Sequence, residues 1–97
     1  MAFDAEAPHR LSPRVGLRPE PFGALAYHYD TRRLVFLKSN ALVDLVRALE
    51  HHPSARAAVD ALVADAARRP SHLAALATLA ESGVVERVEP ATLRETA

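Results

Sequence analysis

A chain of 97 residues holds one domain with a single modest core, too small to enclose a deep cofactor cleft. Hydrophobic residues make up 49%, drawn mainly from Ala, Leu and Val with 5% aromatics, which favours small, closely packed helices. A formal net charge of zero gives no overall field toward nucleic acid or membrane, and the absence of cysteine excludes disulfides, thiolate metal sites and thiol catalysis.

Residues 1–13, MAFDAEAPHRLSP, show neither a period of two nor one of 3.6, so a disordered N-terminal arm is expected there. They also lack a signal-peptide core, and no run approaches the ~18 apolar residues of a membrane span, so a soluble cytoplasmic protein is expected. From Arg14, Val15 and Leu17 alternate with Gly16 and Arg18, which predicts a short strand ended by Pro19 and Pro21. After the turn PEPFG, Leu25, Tyr27 and Tyr29 alternate with Ala24, Ala26 and His28, and RLVFLK follows the turn residues Asp30, Thr31 and Arg32. Three strands of this kind make an antiparallel meander.

The period then becomes helical. Ser39 or Asn40 can cap a helix whose Leu42, Leu45, Val46 and Leu49 share a face, and Pro53 separates it from the next. Ser54 caps a second helix through Ala55, Ala58, Val59, Leu62, Val63 and Ala66, stopped by RRP. Ser71 caps a third, with Leu73, Leu76, Leu79 and Ala80 as its apolar stripe and Gly83 at its end. VVERVEP can add a short extended piece, and residues 90–97 read as a polar tail. The predicted fold is α+β, a three-stranded antiparallel sheet followed by three helices, which is the content of a winged helix-turn-helix with its sheet placed first. The ordered domain spans 14–89.

Catalysis has little support. The histidines His9, His28, His51, His52 and His72 never take the i, i+4 spacing of a helical zinc pair, and three glycines cannot build a phosphate loop, so neither metal nor cofactor is expected. His51 and His52 read as solvated or helix-capping groups, and Asp60 and Asp65 as helical surface carboxylates.

Between Arg10 and Lys38 stand Arg10, Arg14, Arg18, Arg32, Arg33 and Lys38 against Glu20 and Asp30, so the front third is locally basic. SHLAALATLAESGVVERV resembles the recognition helix and wing start of bacterial winged-helix repressors, which makes a small DNA-binding transcriptional regulator the alternative function. Its side chains argue otherwise: from Ser71 to Ser82 there is no Arg, Lys, Asn or Gln, hence little to neutralise phosphates or read base edges. The small surface around His72, Ala75, Ala77, Thr78 and Ser82 suits close approach of another backbone.

RLVFLK is apolar on both faces, Leu34 and Phe36 on one and Val35 and Leu37 on the other, without the inward charge or proline that blunts an edge strand. Such an edge invites an extended peptide, with main-chain bonds supplying affinity and alternate side chains filling pockets. A homodimer using the same edge is the third reading.

The run RVGLRPEPFGALAYHYDTRRLVFLKSNALVDLVRALEHHPS, with a third helix ending in LAESGVV, resembles the small precursor-binding chaperones of mycofactocin biosynthesis. These are similar to the chaperone of pyrroloquinoline quinone biosynthesis and to the peptide-recognition domains of ribosomally made, modified peptides. The resemblance implies a non-enzymatic, winged helix-turn-helix-like chaperone that binds the leader of a precursor peptide and presents it to a radical S-adenosylmethionine maturase. That partner would decarboxylate the precursor's C-terminal tyrosine and cross-link it to the neighbouring valine, and its iron–sulfur clusters would be its own. The resemblance also implies that the leader adds to the third strand and lies against the third helix. Carried onto this sequence, it assigns Leu34, Val35, Phe36 and Leu37 to backbone pairing and apolar pockets. His72, Leu73, Leu76 and Leu79 are the helix-side candidates, shared with the core, and Arg32, Arg33 and Lys38 would meet acidic leader residues.

Overall fold

The computed structural model describes residues 3–88 and is α+β. The central sheet is antiparallel and has the order β2 (Val15–Glu20), β3 (Gly23–His28), β4 (Leu34–Leu37). Its register pairs Val15 with His28 and Glu20 with Gly23 on one side of β3, and Ala24 with Leu37 and Tyr27 with Leu34 on the other. Three helices follow: α1 (Asn40–Ala48), α2 (Ala55–Leu62) and α3 (Arg69–Glu81).

The meander forms as the alternation predicts, with one boundary shifted. Pro19 does not end β2 but lies within it, paired with Ala24, because β2 is an edge strand and a residue on the outward side of an edge needs no N–H for the ladder. The β3–β4 turn closes with His28 N donating to Arg33 O (3.0 Å), and Arg32 takes the left-handed conformation at φ 62°. His28 Nδ1 faces the amides of Asp30 and Thr31 at 3.2 and 3.3 Å, so the neutral ring accepts from both and braces the turn. Asp30 is also clamped by Arg14 through two charge-assisted bonds of 2.7 and 2.8 Å. The Arg14 hydrogen bond holds the Asp30 carboxyl below its ordinary value; burial opposes this, and charge attraction to Arg14 adds to it.

Ser39 caps α1 by accepting from Leu42 N (3.0 Å), and Ser54 caps α2 by accepting from Ala57 N (3.0 Å). The second helix is shorter than its apolar period predicts. It stops at Leu62, Val63 turns extended, and its carbonyl accepts from Arg69 Nε at 2.8 Å. The third helix starts at Arg69 rather than after Ser71, since Pro70 in a first turn lacks only an N–H that would have no partner anyway. The Ser71 hydroxyl donates to Arg68 O instead of capping. Gly83, at φ 84°, ends α3 with its N–H on Ala80 O and that of Val84 on Leu79 O.

The expectation of a disordered arm over residues 1–13 is corrected within the described residues. His9–Leu11 form β1, antiparallel to β5 (Val85–Arg87), with Arg10 paired to Glu86 at 2.7 Å. The carbonyls of Ala5 and Ala7 accept from Arg56 and Ala55, the first N–H groups of α2, and Arg56 also pairs with Glu6. This segment has no period of its own because its hydrogen bonds go to distant parts of the chain. His9 in this segment is buried, its ring 4.8 Å from that of Phe3 and Nδ1 2.8 Å from Ala7 O. The polar tail expected at 90–97 lies outside the described residues.

The core lies between the sheet and the helices: Ala24, Ala26 and Leu37 meet Leu45 and Val46 of α1 and Leu49 in the turn that follows it, with Val59, Leu76 and Leu79 behind. Small alanines on β3 let α1 seat closely on the sheet. The larger residues of β3, Leu25 and Tyr27, therefore stand on the opposite face.

Candidate functional site

Hydrogen-bonded pairs alternate along an antiparallel ladder, so the His28–Arg33 bond makes Ala26–Val35 and Ala24–Leu37 the bonded pairs of β3 and β4. Leu34 and Phe36 occupy the intervening pairs, and their N–H and C=O groups point away from the sheet. Of the four residues expected to pair with a peptide through the backbone, these two present main-chain groups outward, while those of Val35 and Leu37 are engaged with β3. Leu37 is 0% exposed and belongs to the core.

The opposite edge is poorly suited to strand addition. On β2 the bond from Tyr29 N to Arg14 O sets the phase, leaving Val15, Leu17 and Pro19 facing outward. Val15 N already donates to Ser12 O (3.1 Å), and Pro19 has no N–H. The chain thus blunts one edge of its sheet and leaves the other open.

Charge marks the open edge as well. Arg10, Arg14 and Arg18 are paired with Glu86, Asp30 and Glu20, so much of the basic front third is neutralised internally. Arg32 and Arg33 before β4, and Lys38 after it, are exposed and form no ion pair among the described residues. The side chains of Leu34 and Phe36, 58% and 57% exposed, stand between these cations on the face away from α1. Val35, half-buried, packs against the core.

On the helix side, the third helix packs on α2 and β5, while α1 is the helix seated on β3 and β4. Leu76 and Leu79 are buried and committed to the core; His72 and Leu73 stay partly exposed. His72 Nδ1 lies 2.9 Å from Arg68 O. At its far end α3 does reach the sheet: a Cβ on Gly83 would lie 3.3 Å from the His28 ring, beside the turn that carries Arg32 and Arg33.

Sequence reasoning missed how the large exposed side chains gather. Phe22 packs on Phe36 with ring centroids 5.8 Å apart, and Tyr27 on Tyr29 at 5.9 Å, all beside Leu25 and Leu34. The alternation of large and small residues along β3 was the signal, but it does not say which set faces the helices.

A protein-family model described as the peptide chaperone MftB family matches residues 8–86. The chain is 46% identical over 81 residues to a peptide chaperone MftB of Mycobacterium ulcerans, covering 84% of this chain and 74% of that one. It is 45% identical over 86 residues to a peptide chaperone MftB of Mycolicibacterium smegmatis (88% and 83% covered) and 41% over 83 residues to that of Mycobacterium tuberculosis (86% and 76%). No solved structure matches.

Proposed function

The chain belongs to the peptide chaperone MftB family, and from that premise we propose that it is a non-catalytic carrier in mycofactocin biosynthesis. It binds the leader of a ribosomally made precursor peptide by strand addition to β4 and presents that peptide to a radical S-adenosylmethionine maturase. The observation that carries the reading is the asymmetry of the sheet. One edge is closed by Pro19 and the Val15–Ser12 bond, while the other turns the N–H and C=O groups of Leu34 and Phe36 outward, away from β3.

A peptide on that edge takes main-chain bonds from Leu34 and Phe36, each contributing about 1 kcal/mol net. Its side chains on one face lie beside Leu34 and Phe36. Those on the other approach Val35, with His72 and Leu73 as the exposed part of the α3 wall. Arg32, Arg33 and Lys38 receive carboxylates at the two ends of the strand. Each such exposed pair is worth under about 1 kcal/mol and acts mainly on capture and register.

Titration calorimetry of the full chain against a synthetic leader peptide tests the reading. The expected result is saturable one-to-one binding that weakens as salt rises. No heat above noise, together with retardation of duplex DNA in a gel at moderate salt, would replace the chaperone with the DNA-binding regulator. A dimer that sediments unchanged at saturating peptide would show β4 to be occupied by a second copy.

A further inference from the structure

The turn PEPFG carries a side chain that main-chain pairing at β4 does not use. Pro21 and Phe22 join β2 to β3, with Glu20 opposite Gly23. Gly23 lets this turn close on the end of β4, because a Cβ there would collide with the carbonyl of Leu37. The close approach brings the Phe22 ring onto Phe36, with centroids 5.8 Å apart and planes tilted by 53°. Phe22 stays 47% exposed, so it adds little to the core, and its packing partner is the residue at the middle of the open edge.

Phe36 has apolar neighbours on three sides. Leu25 stands opposite it on β3, Leu34 precedes it by two residues on the same face, and Phe22 packs on it from the turn. The fourth side is the edge of β4, and Phe36 remains 57% exposed. A strand added there completes the enclosure. Residues directly opposite each other on neighbouring strands share a face, with Cβ atoms about 4.5–5.5 Å apart, so the leader residue level with Phe36 must set its side chain beside that ring. Leu25, Leu34 and Phe22 offer a polar group no side-chain hydrogen bond in exchange for its water. A large apolar residue, by contrast, gains contact with the Phe36 ring.

We infer that Phe22 is a positioning residue for leader recognition: by holding the Phe36 ring it builds one wall of a pocket that selects a large apolar side chain at the leader position opposite Phe36. This rests on strand addition to β4 and adds the class of side chain that the edge accepts. Phe22 lies outside β4 and outside the helices, so replacing it leaves the outward N–H and C=O groups of Leu34 and Phe36 in place.

The test is titration calorimetry of wild type, Phe22→Ala and Phe22→Tyr, each folded by circular dichroism, against the synthetic leader and its single-alanine variants. Phe22→Ala should bind the leader about three- to tenfold more weakly than wild type, and Phe22→Tyr, which keeps the ring, within about twofold. One apolar leader position should be coupled to Phe22: its alanine variant loses at least about fivefold on wild type but less than about twofold on Phe22→Ala. Equal leader affinity for wild type and Phe22→Ala overturns the inference and leaves strand addition standing. A weakened Phe22→Ala with no coupled leader position, or with Phe22→Tyr weakened as much, also overturns it, because Phe22 then supports the hairpin rather than recognition. So does coupling to a polar leader residue. A wild-type dimer that Phe22→Ala dissociates gives the aromatic pair to a second copy and overturns it as well. Wild type that binds no leader refutes strand addition and the inference together.

Discussion

Proline at position 36 separates the main-chain contribution of the open edge from everything else at that site. Phe36 N–H points away from β3, and its side chain is 57% exposed, so Phe36→Pro removes an outward donor without breaking a ladder bond or hollowing the core. Val35, which precedes it, is already extended, the conformation that a following proline favours. The proper reference is Phe36→Ala, which loses the same ring and keeps the N–H. One main-chain hydrogen bond nets about 0.5–1.5 kcal/mol, so Phe36→Pro should bind the leader about 2- to 12-fold more weakly than Phe36→Ala. Val35→Pro is the opposite control. Its N–H lies on the β3 side, so it should lower stability by about 1 kcal/mol or more in urea denaturation. Calorimetry on folded variants reads the difference. Equal leader affinity for Phe36→Pro and Phe36→Ala would mean that the outward N–H is unused and that the peptide lies elsewhere.

Three further outcomes follow from the fold. Leu76→Ala, in the core where α3 packs, should lose about 2–5 kcal/mol in chemical denaturation; a loss below about 1 would mean the helix is loosely seated. Gly23→Ala places a Cβ 2.0 Å from Leu37 O, an obstacle of backbone rather than a flexible side chain. The end of β4 must shift, and a fall in melting temperature of several degrees is expected, whereas an unchanged midpoint would contradict the close approach. Asp30 is held below its ordinary value of 3.8 by Arg14, so its contribution to stability is present above that pH and is lost as pH falls through the lower, folded value. The stability gap between wild type and Asp30→Asn should therefore be constant near neutrality and close on acidification; a gap that widens in acid would refute the assignment.

The legible parts of the fold were those governed by local chemistry. Ser39 and Ser54 cap the helices they precede, Gly83 ends the third, and the alternation around the Asp30–Arg32 turn forms a hairpin. Pro70 misled because proline reads equally well as a stop after one helix and as a first-turn residue of the next. The N-terminal segment was illegible for a different reason. Its partners are β5 and the start of α2, both supplied by residues tens of positions away.

The candidate site divides in the same way. The residue types of β4, apolar between Arg32, Arg33 and Lys38, are in the sequence, and so are the resemblance that points to a peptide and the family membership that supports it. Composition and pattern cannot tell which edge is open, because that depends on hydrogen-bond phase. The phase set by the His28–Arg33 bond turns Leu34 and Phe36 outward, and the one set by the Tyr29–Arg14 bond turns Pro19 outward. Nor can they tell which face of β3 is buried. Alternation separates Ala24 and Ala26 from Leu25 and Tyr27, but only the seating of α1 on the alanines puts the aromatic set in solvent. Local propensity determines what each segment can form, whereas exposure of an edge or a face is decided by what the rest of the chain packs against it.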